Sequence, residues 1–259
     1  VLTGLQRLSV IAVTTTALAA SAAASAPALA LPSIDRYVAL GDSAAAVGSL
    51  DKLQPGSPLF CTRALDNYPS VLAETLGVAE FVDASCSSAK TTNMTQPQTG
   101  SGGSPNPPQF EALTSDTDLV TLTIGANDIG ALNVNAITDD MLETVRQRVS
   151  TVLDGIRERA PHATVVVTSY LRYFPPGGGC FGLVDQGGQQ RLTDAFRELA
   201  ARHNARFADN FAKTGHDMCE PVGTQWVNGP TPTTPTVPLH ANVEGQQYLA
   251  SVVAAALLN

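Results

Sequence analysis

Aromatic side chains are scarce, at 5% of 259 residues with a single Trp, and charged residues make up only 15%. The core therefore has to be mostly aliphatic. With 44% hydrophobic residues the chain is neither disordered nor a multi-span membrane protein. Basic residues are few: 15 Lys and Arg against 23 Asp and Glu, a net charge of −8. That balance argues against binding nucleic acid or anionic lipid by charge. The four cysteines include no Cys-x-x-Cys spacing, so zinc is not expected. No glycine-rich phosphate loop follows the first strand, which argues against a nucleotide or phosphate binder.

What is present begins with an N-terminal segment of distinct composition. Residues 1–30 hold one charge, Arg7, then an apolar run from Leu8 to Ala20, and end on Ala28-Leu29-Ala30. This is the pattern of a cleaved secretory signal peptide. A membrane anchor is disfavoured, because the run is rich in Thr, Ser and Ala and Pro27 interrupts the segment. No stable membrane insertion is expected after cleavage. The remaining 31–259 can bury one large core as a single domain. Cys61, Cys86, Cys180 and Cys219 all lie in it, and an exported chain with an even count favours two disulfides. Four cysteines allow three connectivities; the pairing local in sequence is Cys61–Cys86 with Cys180–Cys219. The expected location is extracellular or associated with the cell envelope.

Strand and helix signals alternate. Arg36–Leu40, Glu80–Asp83, Asp118–Ile124, Ala163–Thr168 and Ala205–Ala208 read as strands. Tyr68–Leu76 reads as a helix capped by Asn67 and ended by Gly77. Asp139–Arg159 reads as an amphipathic helix with Met141, Val145, Val149, Val152 and Ile156 on one face, stopped by Pro161. Gln189–Asn204 and Gly245–Leu258 are the last two helices. Thr91–Pro108, rich in Thr, Gln, Gly, Ser, Asn and Pro, reads as a long loop. The alternation predicts an α/β fold: a three-layer α/β/α sandwich with a central parallel sheet of about five strands, flavodoxin-like. In such sheets ligands sit beyond the carboxyl ends of the strands.

Three polar clusters lie at such ends or before a helix. Gly41-Asp42-Ser43 follows the first strand, where a Ser on a tight turn presents hydroxyl and backbone N–H to one point. Gly125-Ala126-Asn127-Asp128 follows the strongest strand, and the Asn127 amide is a candidate oxyanion donor. Leu239-His240-Ala241-Asn242 precedes the last helix and offers a base. Taken singly, the first two read more readily as an ordinary cap or turn, and the third equally as a capping or surface histidine. Of the other histidines, His162 and His203 read as solvated surface, and His216 has no evident role.

Together the clusters resemble a known family, the GDSL-type esterases and lipases, or SGNH hydrolases, and more narrowly their secreted actinobacterial lipases. Tyr37-Val38-Ala39-Leu40-Gly41-Asp42-Ser43 resembles the first block of that family, Ser85-Cys86-Ser87-Ser88-Ala89 the second, Val120–Asp128 the third, and His240 with Gly245 the last. Asn67-Tyr68-Pro69 and Trp226-Val227-Asn228-Gly229 extend the likeness over nearly all of 31–259. The resemblance implies a secreted serine esterase or lipase acting on small-molecule or lipid esters of short to medium acyl chain. Ser43 would be the nucleophile, His240 the base, and the N–H groups of Ser43 and Ser88 with Asn127 the oxyanion hole. Asp42 would support the turn. The local cysteine pairing also resembles two bridges of that subgroup. No cofactor and no nucleic-acid partner is implied, and a monomer is expected.

Three features depart from the pattern. Ala44, Ala45, Ala46 and Val47 replace a Tyr-Ser-Ser-Gly run, Ser88 replaces a Gly, and Val237 stands where an Asp usually orients the histidine. The backbone carbonyl of Val237 is the expected substitute acceptor, with Asp217 as a rival reaching in from a loop. These losses also frame an alternative, a catalytically lapsed binding protein on the same fold.

Overall fold

A computed structural model describes residues 33–101, 103–130 and 137–258. The expected signal segment lies outside them. Five strands carry the sheet: β1 (Arg36–Gly41), β2 (Glu80–Asp83), β3 (Leu119–Thr123), β4 (Thr164–Thr168) and, after a short hairpin, β7 (Arg206–Ala208). Their order is β2-β1-β3-β4-β7 and every pairing is parallel. The hairpin is β5 (Gly179–Cys180) with β6 (Leu183–Val184). The helices are α1 (Ser43–Ala46), α2 (Tyr68–Leu76), α3 (Asp139–Arg159), α4 (Gly188–Arg202) and α5 (Val243–Ala256).

Strand periodicity explains the layers. Successive side chains point to opposite faces of a sheet. Val38 and Leu40 of β1, with Val120 and Leu122 of β3, pack into a core shared with α3 and α4. Tyr37 and Ala39 of β1, with Leu119 of β3, enter the opposite core with α2 and α5. Because both faces are covered, β3 is buried throughout. The expected three-layer arrangement and strand content are thus those observed.

Connectivity then fixes where a ligand can sit. From β1 the chain crosses to β2 on one side and later to β3 on the other, so the segments leaving β1 and β3 diverge at their carboxyl ends. Such a switch point opens a crevice. Ser43 and Asn127 lie on its two lips.

Some boundaries differ from expectation. α4 starts at Gly188 and ends at Arg202, and α5 starts at Val243, because the Asn242 side chain accepts the Gly245 N–H and caps the helix two residues earlier. The 91–108 stretch is not plain loop: Thr91–Met94 is a 3-10 turn, and Asp128 accepts both the amide and the hydroxyl of Thr91, at 3.0 and 2.6 Å. Both disulfides, Cys61–Cys86 and Cys180–Cys219, form as the local pairing expected. His162 is exposed as expected, but His203 is not simply solvated. Its Nε2 lies 2.8 Å from the Ser150 hydroxyl, and its Nδ1 lies 3.1 Å from Asp154.

Candidate active site

The Ser43 turn is built by close approach of backbones. A Cβ on Gly41 would stand 2.6 Å from the Thr123 carbonyl, so only Gly lets β1 and β3 remain paired there. Gln109 completes the turn by bonding Gly41 like a neighbouring strand: its Oε1 accepts the Gly41 N–H at 2.7 Å and its Nε2 donates to the carbonyl at 2.8 Å. Asp42 caps α1, accepting the Ala44 N–H at 2.9 Å, and accepts the Tyr170 hydroxyl at 2.6 Å. Burial pushes the Asp42 carboxyl up to about 7 despite these two donors. Ser43 is the first residue of α1, so its N–H has no intrahelical partner and is available.

Ser88 and Asn127 flank the crevice. Ser88 holds φ +63°, a left-handed backbone that Gly adopts without strain. Its N–H has no partner among the described residues. Asn127 sits in a 3-10 turn, Ala126–Ile129, entered through Gly125 at φ +116°. One N–H of its amide donates to the Ala89 carbonyl at 3.0 Å, which fixes the side chain and leaves the second N–H free. Tyr170 ties the two lips together, accepting the Ala126 N–H at 3.2 Å while donating to Asp42.

His240 lies on the segment leading into α5. Asn228 donates its N–H to the His240 carbonyl at 3.0 Å, and Val227 bridges Ala241. The acceptor for the imidazole is not the Val237 carbonyl but that of Pro238, 2.8 Å from Nδ1. Leu239 adopts φ +60°, which turns the chain between acceptor and ring. A carbonyl only accepts, so Nδ1 carries the proton and Nε2 keeps its lone pair. Burial lowers the His240 pKa below the ordinary value, and the Pro238 carbonyl opposes that shift. Asp217 is not the orienting acid: its Oδ1 accepts the Cys219 N–H, and its buried Oδ2 has no partner among the described residues. His216, without a role in the sequence, stacks on Trp226 with ring centroids 3.6 Å apart, and Trp226 stacks on Tyr248.

Asp42, Ser43, Ser88, Asn127 and His240 all line one pocket of about 190 Å³. Tyr170, Tyr173, Phe174, Leu183, Leu192, Met218 and Leu239 make its apolar wall. Among the described residues, the Ser43 hydroxyl makes no hydrogen bond with the imidazole. Catalytic hydrogen bonds commonly tighten only when substrate binds. Sequence reasoning missed Tyr170 and Gln109. Tyr170 follows β4 closely, so the rule about polar residues after strands points to it. Gln109 sits at the end of a 3-10-flanked loop and carries no local signal. Among the described residues no His, Cys, Asp and Glu cluster is arranged to hold a metal ion.

Comparison with known proteins places this geometry among relatives. The profile of the GDSL-like Lipase/Acylhydrolase family matches residues 39–248. The chain is 34% identical to Lipase 2 of Streptomyces coelicolor, over 87% of this chain and 86% of that one. The crystal structure of an extracellular lipase from Streptomyces rimosus superposes with a TM-score of 0.68 at 27% identity, over 85% of this chain and 99% of the other. A phospholipase A1 from Streptomyces albidoflavus NA297 gives 0.65 at 27% identity, over 86% and 99%.

Proposed function

Because the chain belongs to the GDSL-like lipase/acylhydrolase family, we propose that it is a secreted carboxylic ester hydrolase, acting as a monomer through an acyl-enzyme on Ser43. His240 Nε2 takes the Ser43 proton as the hydroxyl oxygen attacks the ester carbonyl. The oxyanion is received by the N–H groups of Ser43 and Ser88 and by the free N–H of Asn127. Collapse expels the alcohol, which leaves with the proton held by His240. Water, activated by the same imidazole, then releases the acid and regenerates Ser43.

The observation that carries this reading is the convergence of Ser43, Ser88, Asn127 and His240, from four distant parts of the sequence, on one pocket. The Pro238 carbonyl supports a Ser–His dyad in place of a triad: it fixes the tautomer but brings no charge to stabilise the imidazolium, so modest turnover is expected. A pocket of about 190 Å³ is little larger than a benzene-sized cavity of about 150 Å³, which suits short to medium acyl chains. Retention of every reacting group argues against a lapsed enzyme.

The test is hydrolysis across esters of increasing acyl length, with Ser43→Ala as the blank. Turnover that vanishes in that variant, with stoichiometric organophosphate labelling of Ser43, supports the reading. Equal rates in both proteins overturn it.

A further inference from the structure

Two stretches that line the pocket carry no charged side chain. The protein is acidic, yet no Asp, Glu, Lys or Arg occurs between Arg172 and Asp185, or between Glu220 and Glu244. The first stretch is the β5–β6 hairpin with its approach; the second carries His240 and Leu239. Together they supply Tyr173, Phe174, Leu183, Leu239 and His240 to the pocket lining.

Large apolar side chains stand exposed on or beside these stretches: Phe181 is 59% exposed, Val184 49% and Val222 70%. Their positions are tied to the pocket. Phe181 and Gly182 form the hairpin tip, and the Phe181 ring lies against Gly229, where a Cβ would stand 3.0 Å from it. Gly229 in turn accepts the Leu239 N–H, so the tip touches the segment that presents His240. Alternation along β6 turns Leu183 into the pocket and Val184 outward. The Cys180–Cys219 disulfide joins the hairpin to the turn beside Met218, another pocket residue, and Val222 follows Cys219 by three residues, within about 11 Å of extended chain.

Isolated exposed apolar side chains are common and need no explanation. These three are not isolated: they stand on two stretches without charge that also line an apolar pocket, and the hairpin that carries two of them is covalently fastened. From this we infer that the rim of hairpin 179–184 and turn 221–223 docks on the surface of an aggregated lipid ester of zero net charge, with Phe181 and Val222 entering the interface. Absence of fixed charge spares the desolvation that buried ions would cost. The acidic remainder of the protein disfavours an anionic surface. The inference rests on the ester-hydrolase reading for its occupant, since a pocket that takes acyl chains needs its mouth at the lipid.

The experiment separates docking from chemistry. Protein bearing Ser43→Ala, which leaves lipid intact, is sedimented with phosphatidylcholine vesicles, beside the same protein carrying Phe181→Asn and Val222→Ser. Asn tolerates the φ of +54° at position 181. Partitioning should fall at least tenfold in the doubly substituted protein. Hydrolysis of a soluble short-chain ester by Phe181→Asn/Val222→Ser protein with Ser43 intact should stay within twofold. Unchanged partitioning, tighter binding to phosphatidylglycerol vesicles, or an equal loss on the soluble ester overturns the inference. Failure of the unsubstituted protein to cleave any soluble ester overturns the hydrolase reading instead, while the vesicle result still reports on the surface.

Discussion

The His240 imidazole is held from within its own segment: the Pro238 carbonyl, two residues upstream, accepts the Nδ1 proton at 2.8 Å. The proposed base is therefore oriented by a neutral dipole fixed by the local chain, with Leu239 in a left-handed conformation between them. A triad acid raises the basicity of its histidine. Here burial acts in the opposite direction and favours the uncharged ring.

The pH dependence of activity follows from that sign. The proposed mechanism requires neutral His240, so kcat/KM should rise with increasing pH through one ionisation lying below 6.5, the ordinary histidine value. A pH–rate profile on a soluble ester measures it. A midpoint above 6.5 would contradict the lowered pKa.

Asn127 is expected to act on the transition state alone. In the proposed mechanism its free N–H receives an oxygen that becomes charged only during attack. Asn127→Ala should lower kcat by about a hundredfold or more, roughly 3 kcal/mol, and leave KM within a few-fold. The contact to the Ala89 carbonyl is lost as well, so a thermal melt should accompany the kinetics.

Asp42 makes a pH-dependent contribution to stability of unusual sign. Its folded pKa is raised, to about 7 from 3.8, so the folded protein holds a proton that the unfolded chain releases. Stability from this group is fully present below about pH 4 and is lost as pH rises toward 7. Asp83, raised in the same direction by burial, adds to the decline. Asn imitates the protonated acid at position 42, so Asp42→Asn should flatten the fall in Tm between pH 4 and 7. An equally steep fall in the variant would remove the assignment.

Ser88 tests the cost of the left-handed turn. A non-glycine residue at φ +63° is strained by about 1 kcal/mol, partly offset by the greater freedom that Gly gains when unfolded. Ser88→Gly should raise stability by up to about 1 kcal/mol in chemical denaturation and change kcat less than twofold, because the backbone N–H is retained. A large loss of activity would show that the Ser88 side chain takes part.

Much of the fold was legible because its signals are local. The β-branched run 118–124 forms β3, Leu119–Thr123, buried on both faces, and Val145, Val149, Val152 and Ile156 repeat at helical spacing and enter the core. Asn67 and Gly77 mark the ends of α2 as the sequence indicates. The site was legible only as separate polar clusters at strand ends, and the order of those clusters suggested the family. His203 and the 91–108 stretch were misread because the partners Ser150 and Asp128 are 53 and 37 residues away.

The sequence by itself determined the alternation of strand and helix, favoured the pairing of cysteines near in the chain, and fixed which residue types stand at strand ends. Each depends on patterns within a few residues or on short loops. Only the tertiary structure decided that the Pro238 carbonyl rather than Val237 holds the imidazole, that Tyr170 links Asp42 to the Ala126 backbone, and that Gln109 closes the Ser43 turn. Those contacts turn on backbone angles at single residues or on pairings up to 128 residues apart, and neither is written in local periodicity.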